Sequence, residues 1–204
     1  MSEITEPLEL ARSAQDLLFR EARTANSFSS EPVSDAQIRA IHDLAKYGPT
    51  SMNIQPLRVT LLRSAESRER LVPLMMEGNQ PKTRTAPLTA ILSYDTEFHE
   101  RAGSFFPSRE EGIRNLFGAD EQFRTDNARL NSALQAGYFL IGIRAAGLAA
   151  GPMTGFDAEA VNKEFFGDGR QRAFVVVNLG RPGPDHPEFE RLPRFDFEDV
   201  TTEL

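Results

Sequence analysis

Apolar residues return every three or four positions in five stretches of the chain, which is the spacing of an amphipathic helix. These stretches are residues 8–24, 34–48, 64–76, 126–146 and 157–166. Ser34 has the character of an N-cap for the second helix, and Gly48-Pro49 ends it. The stretch 126–146 is apolar on most sides, so we expect it to form the longest helix and to lie in the core.

Short apolar runs predict strands at 59–62, 88–94 and 173–179, and the last of these is almost wholly apolar, as in a central buried strand. Residues 77–82 are predicted to form a loop. Residues 98–120 place aromatic side chains between chain breakers, which suggests a mobile or partner-covered helical excursion. About six helices and three or four strands that do not alternate regularly favour an α+β fold, which we expect to be one domain over 1–204.

Composition excludes several classes of protein. The 204 residues include 30 acidic and 23 basic side chains, for a formal charge of −7, which argues against a general nucleic-acid binder. Cysteine is absent, so disulfides and thiolate chemistry are excluded, and the wide spacing of the three histidines argues against a metal site. No apolar run of 18 residues and no secretory signal pattern occur. We therefore expect a cytoplasmic protein without a membrane partner.

Common catalytic motifs are missing as well. There is no Gly-x-Gly-x-x-Gly between a strand and a helix, no Walker A sequence and no Gly-x-Ser-x-Gly elbow. If the protein is an enzyme, a bound organic cofactor is therefore expected to carry the chemistry.

Three polar clusters lie beside chain breakers. They are Arg20, Arg23, Thr24 and Asn26; Pro49, Thr50, Ser51, Asn53 and Gln55; and the segment Pro152, Met153, Thr154 and Gly155. Guanidinium and hydroxyl groups in the first suit a phosphate, amides in the second suit a polar heterocycle, and glycine in the third permits close approach of backbone to a ligand. Each cluster also has a structural interpretation: a solvated helix face, a capped loop, and a helix C-cap followed by a turn.

Together the clusters resemble the nitroreductase family of FMN-dependent oxidoreductases. Residues 22–57 resemble that family's opening span without insertion or deletion: Phe28, Pro32-Val33, Pro49-Thr50, Asn53 and Gln55-Pro56 coincide with its motif positions. Asn79 and Lys82, the segment 147–155, and the tail Arg191-Leu192-Pro193-Arg194 resemble its later motifs. A narrower resemblance is to the malonic semialdehyde reductase branch, also described as 3-hydroxypropanoate dehydrogenases. Ala22 and Asn26 stand where the broader family has basic residues, so Arg23 or Arg20 would supply the phosphate charge.

The resemblance implies a mostly antiparallel sheet flanked by helices and an intertwined homodimer with FMN at the interface. Arg23, Arg191 and Arg194 would hold the phosphate, and Thr24 and Asn26 would bond ribityl or pyrimidine groups. Lys82, with Asn79 nearby, would face the N1–C2=O edge of the flavin. Backbone of Pro152, Met153 and Thr154 would follow the N5 edge, where Gly155 allows close approach. Pro49, Thr50, Ser51 and Asn53 belong to the segment that would reach in from the partner chain.

The implied reaction transfers hydride from NADH or NADPH through flavin N5 to a small aldehyde such as malonic semialdehyde, giving 3-hydroxypropanoate. No side chain is an obvious proton donor; water or the Thr154 hydroxyl would serve. Two alternatives stay open. One is a broad reductase of nitroaromatics, quinones or enones, and the other is a flavin-binding or interaction module without turnover.

Overall fold

The computed structural model describes residues 8–184, 186 and 189–204. Its helices are α1 (Arg12–Gln15), continued by a π-helical turn (Asp16–Arg20), α2 (Asp35–Ala45), α3 (Ala65–Leu71), α4 (Gln80–Thr85), α5 (Ala102–Phe105), α6 (Glu110–Gly118), α7 (Glu121–Ala145), α8 (Ala158–Phe165) and α9 (Phe197–Val200). Its strands are β1 (Leu57–Leu62), β2 (Leu88–Asp95), β3 (Ala149–Met153) and β4 (Gln171–Gly180). Single 3₁₀ turns lie at Ser51–Asn53, Val72–Leu74, Glu77–Asn79, Phe98–Arg101 and Pro107–Arg109.

The four strands form one sheet in the order β1-β2-β4-β3, and every neighbouring pair is antiparallel. Successive side chains of a strand point to opposite faces, so β2 builds two cores at once. Ala90 and Leu92 pack with α2 and α7 on one face, whereas Ile91 packs with α3 and α8 on the other. The predicted α+β fold with a mostly antiparallel sheet flanked by helices is confirmed.

Helix starts agree well with the sequence signals. Ser34 accepts a hydrogen bond from the backbone N–H of Gln37, and the Gln37 side chain accepts from the Ser34 N–H, which completes a capping box. The Asp157 carboxylate caps α8 by accepting a hydrogen bond from the Ala160 N–H at 3.0 Å. The long helix is also confirmed, although α7 begins five residues earlier than predicted, at Glu121, because Asp120 caps it.

Three local predictions are wrong. Residues 77–82 are not a loop: a 3₁₀ turn leads into α4, where Pro81 occupies a first-turn position at which its missing N–H costs nothing. Residues 149–153 form β3 rather than a helix C-cap and turn, and Pro152 is tolerated there because β3 is an edge strand. The first helix does not reach Thr24, because the backbone after Arg20 extends to bridge Ala150 of β3.

The excursion at 98–118 is helical, as predicted, and has a small core within the chain. Phe98 and Phe117 are buried, and their rings meet edge to face with centroids 4.9 Å apart. Ile54 and Ala128 close this core. Arg124 of α7 secures it by donating to the carbonyls of Thr96 and Phe117, each at 2.9 Å. Phe105 and Phe106 are only partly buried at its margin.

Across the described part of the chain, no helix combines the length and apolar character needed to cross a membrane.

Candidate functional site

The segment after the π-helical turn lies along the edge strand β3. Thr24 forms a parallel bridge with Ala150, and the Ala25 N–H donates to the Ala150 carbonyl at 3.0 Å. Gly151 makes this approach possible, because a Cβ there would collide with the carbonyl oxygen of Ala25. The first and third polar clusters are therefore neighbours in one chain.

Three guanidinium groups gather around this segment. Arg144, near the end of α7, donates to the Leu18 carbonyl at 3.0 Å. Arg191 of the tail donates to the carbonyls of Arg20 and Ala22, and Arg23 donates to the carbonyl of Phe189. The tail and the first cluster thus meet, as the sequence predicts.

Arg23, Arg144 and Arg191 form one basic cluster. Its acceptors are neutral carbonyls, and within the described residues none of the three forms an ion pair with a carboxylate. Burial, and then the positive charge of Arg191, lower the pKa of the Arg144 guanidinium. Burial and the charge of Arg23 likewise lower the pKa of His186. A cation cluster without a carboxylate, in a chain of net charge −7, is suited to bind an anion.

A cavity of about 500 Å³ lies beside Asn26 and Lys82. The Lys82 ammonium donates to the Asn26 side-chain carbonyl at 3.1 Å, a neutral partner that leaves the positive charge uncompensated. Ser27 also lines the cavity, and its buried hydroxyl oxygen has no hydrogen-bond partner in the part of the chain that the structure describes. An orphaned hydroxyl beside an ammonium and an amide indicates a polar ligand at this position, because buried polar groups in native proteins are normally paired.

Asn79 joins this cavity to the end of β3. It precedes α4, which carries Lys82, and its side-chain amide donates to the Gly155 carbonyl at 3.0 Å. The Met76 N–H donates to the same carbonyl, also at 3.0 Å. A Cβ at position 155 would lie 2.7 Å from the Asn79 amide nitrogen, so glycine is required for this contact.

The second cluster lies elsewhere in the chain. The Ser51 N–H donates to the Asn131 side chain of α7 at 2.7 Å, and the Asn53 side chain donates to the Phe105 carbonyl at 3.0 Å. Asn131 and Arg144 are thirteen residues apart on α7, which is about 20 Å along a helix. Residues 50–53 and the basic cluster are therefore at separate ends of this part of α7.

The backbone of that loop is strained. Met52, Asn53 and Gln55 have φ values of 50°, 57° and 42°, in the left-handed region that non-glycine residues rarely adopt. The Gln55 side chain donates to the Asn53 side chain at 2.9 Å, which helps to hold the turn. Strain of this kind collects at functional sites, so it favours a ligand role for the second cluster over that of a plain capped loop.

The structure brings most of the predicted site residues into one region. Lys82 is bonded to Asn26, and Asn79 is bonded to Gly155. Thr24 bridges Ala150 of β3, the strand that leads to Pro152, Met153 and Thr154. Arg23 and Arg191 bond the neighbouring backbone of Phe189 and Ala22. Pro49, Thr50, Ser51 and Asn53 are not part of that region. Arg194 is exposed and donates to the nearby carbonyls of Leu192 and Pro193. Met153 contributes backbone alone, since its side chain is buried in the core.

Sequence reasoning missed two members of the site. Arg144 interrupts the apolar part of α7, and a single arginine in the last turn of such a helix can itself indicate a binding site. No sequence motif marks Ser27, because its hydroxyl is buried in the tertiary structure, where Gly183 packs against it.

A larger groove of about 870 Å³ runs between α2 and β1. Gln55 of the second cluster lines it, but no other described residue of the three clusters does. Several of its cations are already paired, such as Lys46 with Asp43 at 2.8 Å and Arg63 with Asp35 at 2.6 Å. The described residues contain no cluster of three histidine or acidic side chains suited to a metal ion.

Comparisons with known proteins agree with this geometry. The model of the nitroreductase family matches residues 19–181. A Streptomyces coelicolor protein named "Putative NADH dehydrogenase/NAD(P)H nitroreductase" is 57% identical over 195 residues, which are 96% of this chain and 98% of the relative. The chain therefore belongs to the nitroreductase family.

Solved structures show the same fold. A crystal structure from Exiguobacterium sibiricum, described as "a putative nitroreductase in complex with FMN", matches with a TM-score of 0.81 at 16% identity, covering 96% of this chain and 99% of that one. The gut-bacterial enone reductase CLA-ER matches with a TM-score of 0.80 at 17% identity, covering 95% of this chain and 99% of that one.

Proposed function

We propose that this protein is an FMN-dependent oxidoreductase that uses NADH or NADPH. The observation that carries the proposal is the basic cluster without a counter-ion, joined through one strand edge to the cavity that holds Lys82 and the orphaned Ser27 hydroxyl. A nucleotide with a phosphate at one end and a polar ring system at the other fits both. The name of the Streptomyces relative and the FMN complex of the Exiguobacterium structure support the same cofactor and co-substrate.

The residues divide the work of binding. Arg23, Arg191 and Arg144 would hold the phosphate. Arg194, three residues after Arg191 in the tail, would also contact it. Thr24, Asn26 and Ser27 would offer hydroxyl and amide groups. Backbone at Pro152, Met153 and Thr154, together with Gly155, would lie along the ring, because an edge strand has free backbone groups and glycine admits a close ligand.

When bound, FMN accepts hydride from the reduced nicotinamide and delivers it to a second substrate. This chain's part is electrostatic and steric. The Lys82 ammonium, held through Asn26 and α4, stabilises negative charge that develops beside it. Asn79 holds the Gly155 carbonyl in place and so sets the shape of the strand end. With an aldehyde, NAD(P)H and one proton yield the alcohol and NAD(P)⁺; water or the Thr154 hydroxyl, which is exposed, supplies the proton.

We further propose that the working protein is a homodimer. Leu130, Leu134 and Tyr138 recur every four residues on α7, so they share one face, and they are 63%, 47% and 45% exposed. A second copy of the chain would cover this apolar stripe. Since the loop with Pro49, Thr50, Ser51 and Asn53 lies about 20 Å from the basic cluster along α7, it would complete the cofactor site of the other chain.

For the second substrate we propose malonic semialdehyde, on the narrower resemblance of the sequence to malonic semialdehyde reductases. Reduction of enones or nitroaromatics is the competing activity, and the names of the Streptomyces relative and of the enone reductase CLA-ER support it.

A spectroscopic experiment tests the cofactor and the substrate in turn. We expect the purified protein to show flavin absorbance that bleaches when NADH or NADPH is added without oxygen. Malonic semialdehyde should restore the absorbance with formation of 3-hydroxypropanoate, and more rapidly than an equal concentration of a nitroaromatic. A colourless protein that takes up no FMN overturns the cofactor proposal. Faster reoxidation of the flavin by the nitroaromatic would overturn the aldehyde proposal in favour of the competing activity.

A further inference from the structure

A third, smaller cavity lies between the strained loop and the excursion. It has a volume of about 230 Å³, below the usual range of roughly 300–1,000 Å³ for sites of drug-sized ligands. Ile54 and Gln55 of the loop form one wall, and Phe98, Arg101, Ser104 and Phe105 of the excursion form the other, with Arg58 beneath. The bond from Asn53 to the Phe105 carbonyl joins the two walls.

The two arginines of this cavity differ in their partners. Arg58 donates to the carboxylate of Asp95 at 2.6 Å and to the carbonyls of Gln55 and Leu57, so its charge is compensated and its role is to support the loop. Arg101 is exposed, and nothing in the described ranges of the chain gives its guanidinium a hydrogen bond or an ion pair. Ser104, one helical turn away, also presents a hydroxyl without a protein partner there.

We propose that Arg101, assisted by Ser104, is the carboxylate receptor of the substrate site, and that the preferred substrates are small carbonyl compounds bearing a carboxylate. The inference rests on the proposed function. The strained loop would reach the cofactor of the second chain, and because the loop forms one wall of this cavity, the cavity would lie beside that cofactor. A guanidinium recognises carboxylate oxygens through paired, charge-assisted hydrogen bonds. The apolar walls of Ile54, Phe98 and Phe105 suit a short carbon chain, and the small volume selects against extended aromatic substrates.

Arg101 also lines the larger groove between α2 and β1, so its charge has a competing use in an ion pair with a second copy of the chain. That use and substrate recognition predict different results. An interchain ion pair affects assembly and acts on all substrates alike, whereas a carboxylate receptor distinguishes charged from neutral substrates.

The test uses Arg101→Gln in the FMN-loaded enzyme, with Arg109→Gln as its control. Arg109 lies on the same excursion, is exposed and does not line the cavity. Its replacement by glutamine removes the same unit of charge. Malonic semialdehyde is compared with propanal, which has the same number of carbons and no carboxylate. We expect Arg101→Gln to raise KM for the semialdehyde by about ten- to a hundredfold, as for loss of a charge-assisted bond, with KM for propanal changed less than twofold. Ser104→Ala should raise KM for the semialdehyde by a smaller factor, and Arg109→Gln should leave both values unchanged.

A second measurement does not depend on turnover. Malonate titrated into the oxidised holoenzyme should perturb the flavin spectrum, and malonamide serves as the neutral comparison ligand. Arg101→Gln should weaken the binding of malonate and leave the binding of malonamide unchanged. If malonate binds through Arg101 but no aldehyde is reduced, the aldehyde activity fails and the carboxylate receptor stands. Equal effects on charged and neutral ligands, an equal loss in Arg109→Gln, or a changed oligomeric state of Arg101→Gln would each overturn the receptor.

Discussion

Lys82 shows how a single residue gains a function from its neighbours. Its ammonium is half-buried beside a cavity, and its hydrogen-bond partner Asn26 is neutral, so the full positive charge remains available to a ligand. A surface lysine paired with a carboxylate would offer a ligand much less net positive charge. The same reasoning applies to Arg144, whose partner is a carbonyl and whose pKa is lowered by burial and by Arg191.

Replacement of Lys82 by methionine should make the bound flavin harder to reduce. The reduced flavin is more negative than the oxidised one, and removal of a nearby cation withdraws its stabilisation. We expect the two-electron midpoint potential to fall by about 30 mV, which corresponds to about 1.4 kcal/mol. Spectroelectrochemistry of the holoenzyme measures it. Lys163→Met, on the exposed surface of α8, is the control and should leave the potential unchanged. An unaltered potential in Lys82→Met would remove Lys82 from its assigned role.

At the scale of elements, a buried polar network fixes the parts of the site to one another. Asn178 of β4 accepts from the Thr89 hydroxyl at 2.8 Å, and its amide lies 3.2 Å from the hydroxyl of Thr83 on α4 and 4.0 Å from the sulfur of Met153 on β3. Asn178 is 1% exposed. One side chain thus connects the strand end at 153 with the helix that carries Lys82.

Substitution of Asn178 by leucine should destabilise the fold, because it leaves the buried hydroxyls of Thr89 and Thr83 without this partner. We expect a loss of about 2–4 kcal/mol in the free energy of unfolding. Equilibrium urea denaturation, followed by circular dichroism, measures it. The exposed Asn115 of α6 provides the matched control, since Asn115→Leu should stay within about 0.5 kcal/mol of the wild type. Equal stability of the Asn178 variant would show that the network carries little weight.

The elements also show what a sequence can and cannot predict. Ser34 and Asp157 cap their helices through bonds to residues three positions away, so local sequence predicts them. The apolar run in β4 predicts its central place. In contrast, β3 contains glycine and proline and is a strand only because β4 pairs with it. Residues 77–82 are predicted as a loop for a similar reason: α4 depends on the tertiary bonds of Asn79 and Asn178.

Similar limits hold for the site. Motif order in the sequence indicated which residues belong together, and the contacts of Asn26 with Lys82 and of Ala22 with Arg191 agree with that grouping. It did not reveal Arg144 or Ser27, whose roles come from burial. Nor did it place a cation for an acidic substrate, because Arg101 acquires its cavity only when the excursion folds against the strained loop.

At the scale of the whole molecule, one chain contains both parts of the proposed cofactor site but holds them apart. The basic cluster and the Lys82 cavity lie near the Arg144 end of α7, while the strained loop is bonded to Asn131. The proposed homodimer would resolve this separation, because a two-fold axis would place the loop of each copy against the strand edge of the other. The exposed stripe of Leu130, Leu134 and Tyr138 is the surface on which such a pair would form.

Disruption of the stripe should therefore remove the cofactor as well as the dimer. We expect the wild type to sediment at twice the mass of one chain, and Leu134→Glu to shift the population toward single chains, because a charge buried at an apolar contact is strongly unfavourable. FMN should be lost in parallel, since single chains lack the second copy's residues 50–53. Leu116→Glu provides the control: Leu116 is 46% exposed on α6, off the stripe, and its variant should keep both dimer and flavin. A wild type that sediments as one chain while retaining FMN would contradict the shared site, and a single-chain Leu134→Glu that binds FMN with wild-type affinity would show that the loop of residues 50–53 is not needed to hold it.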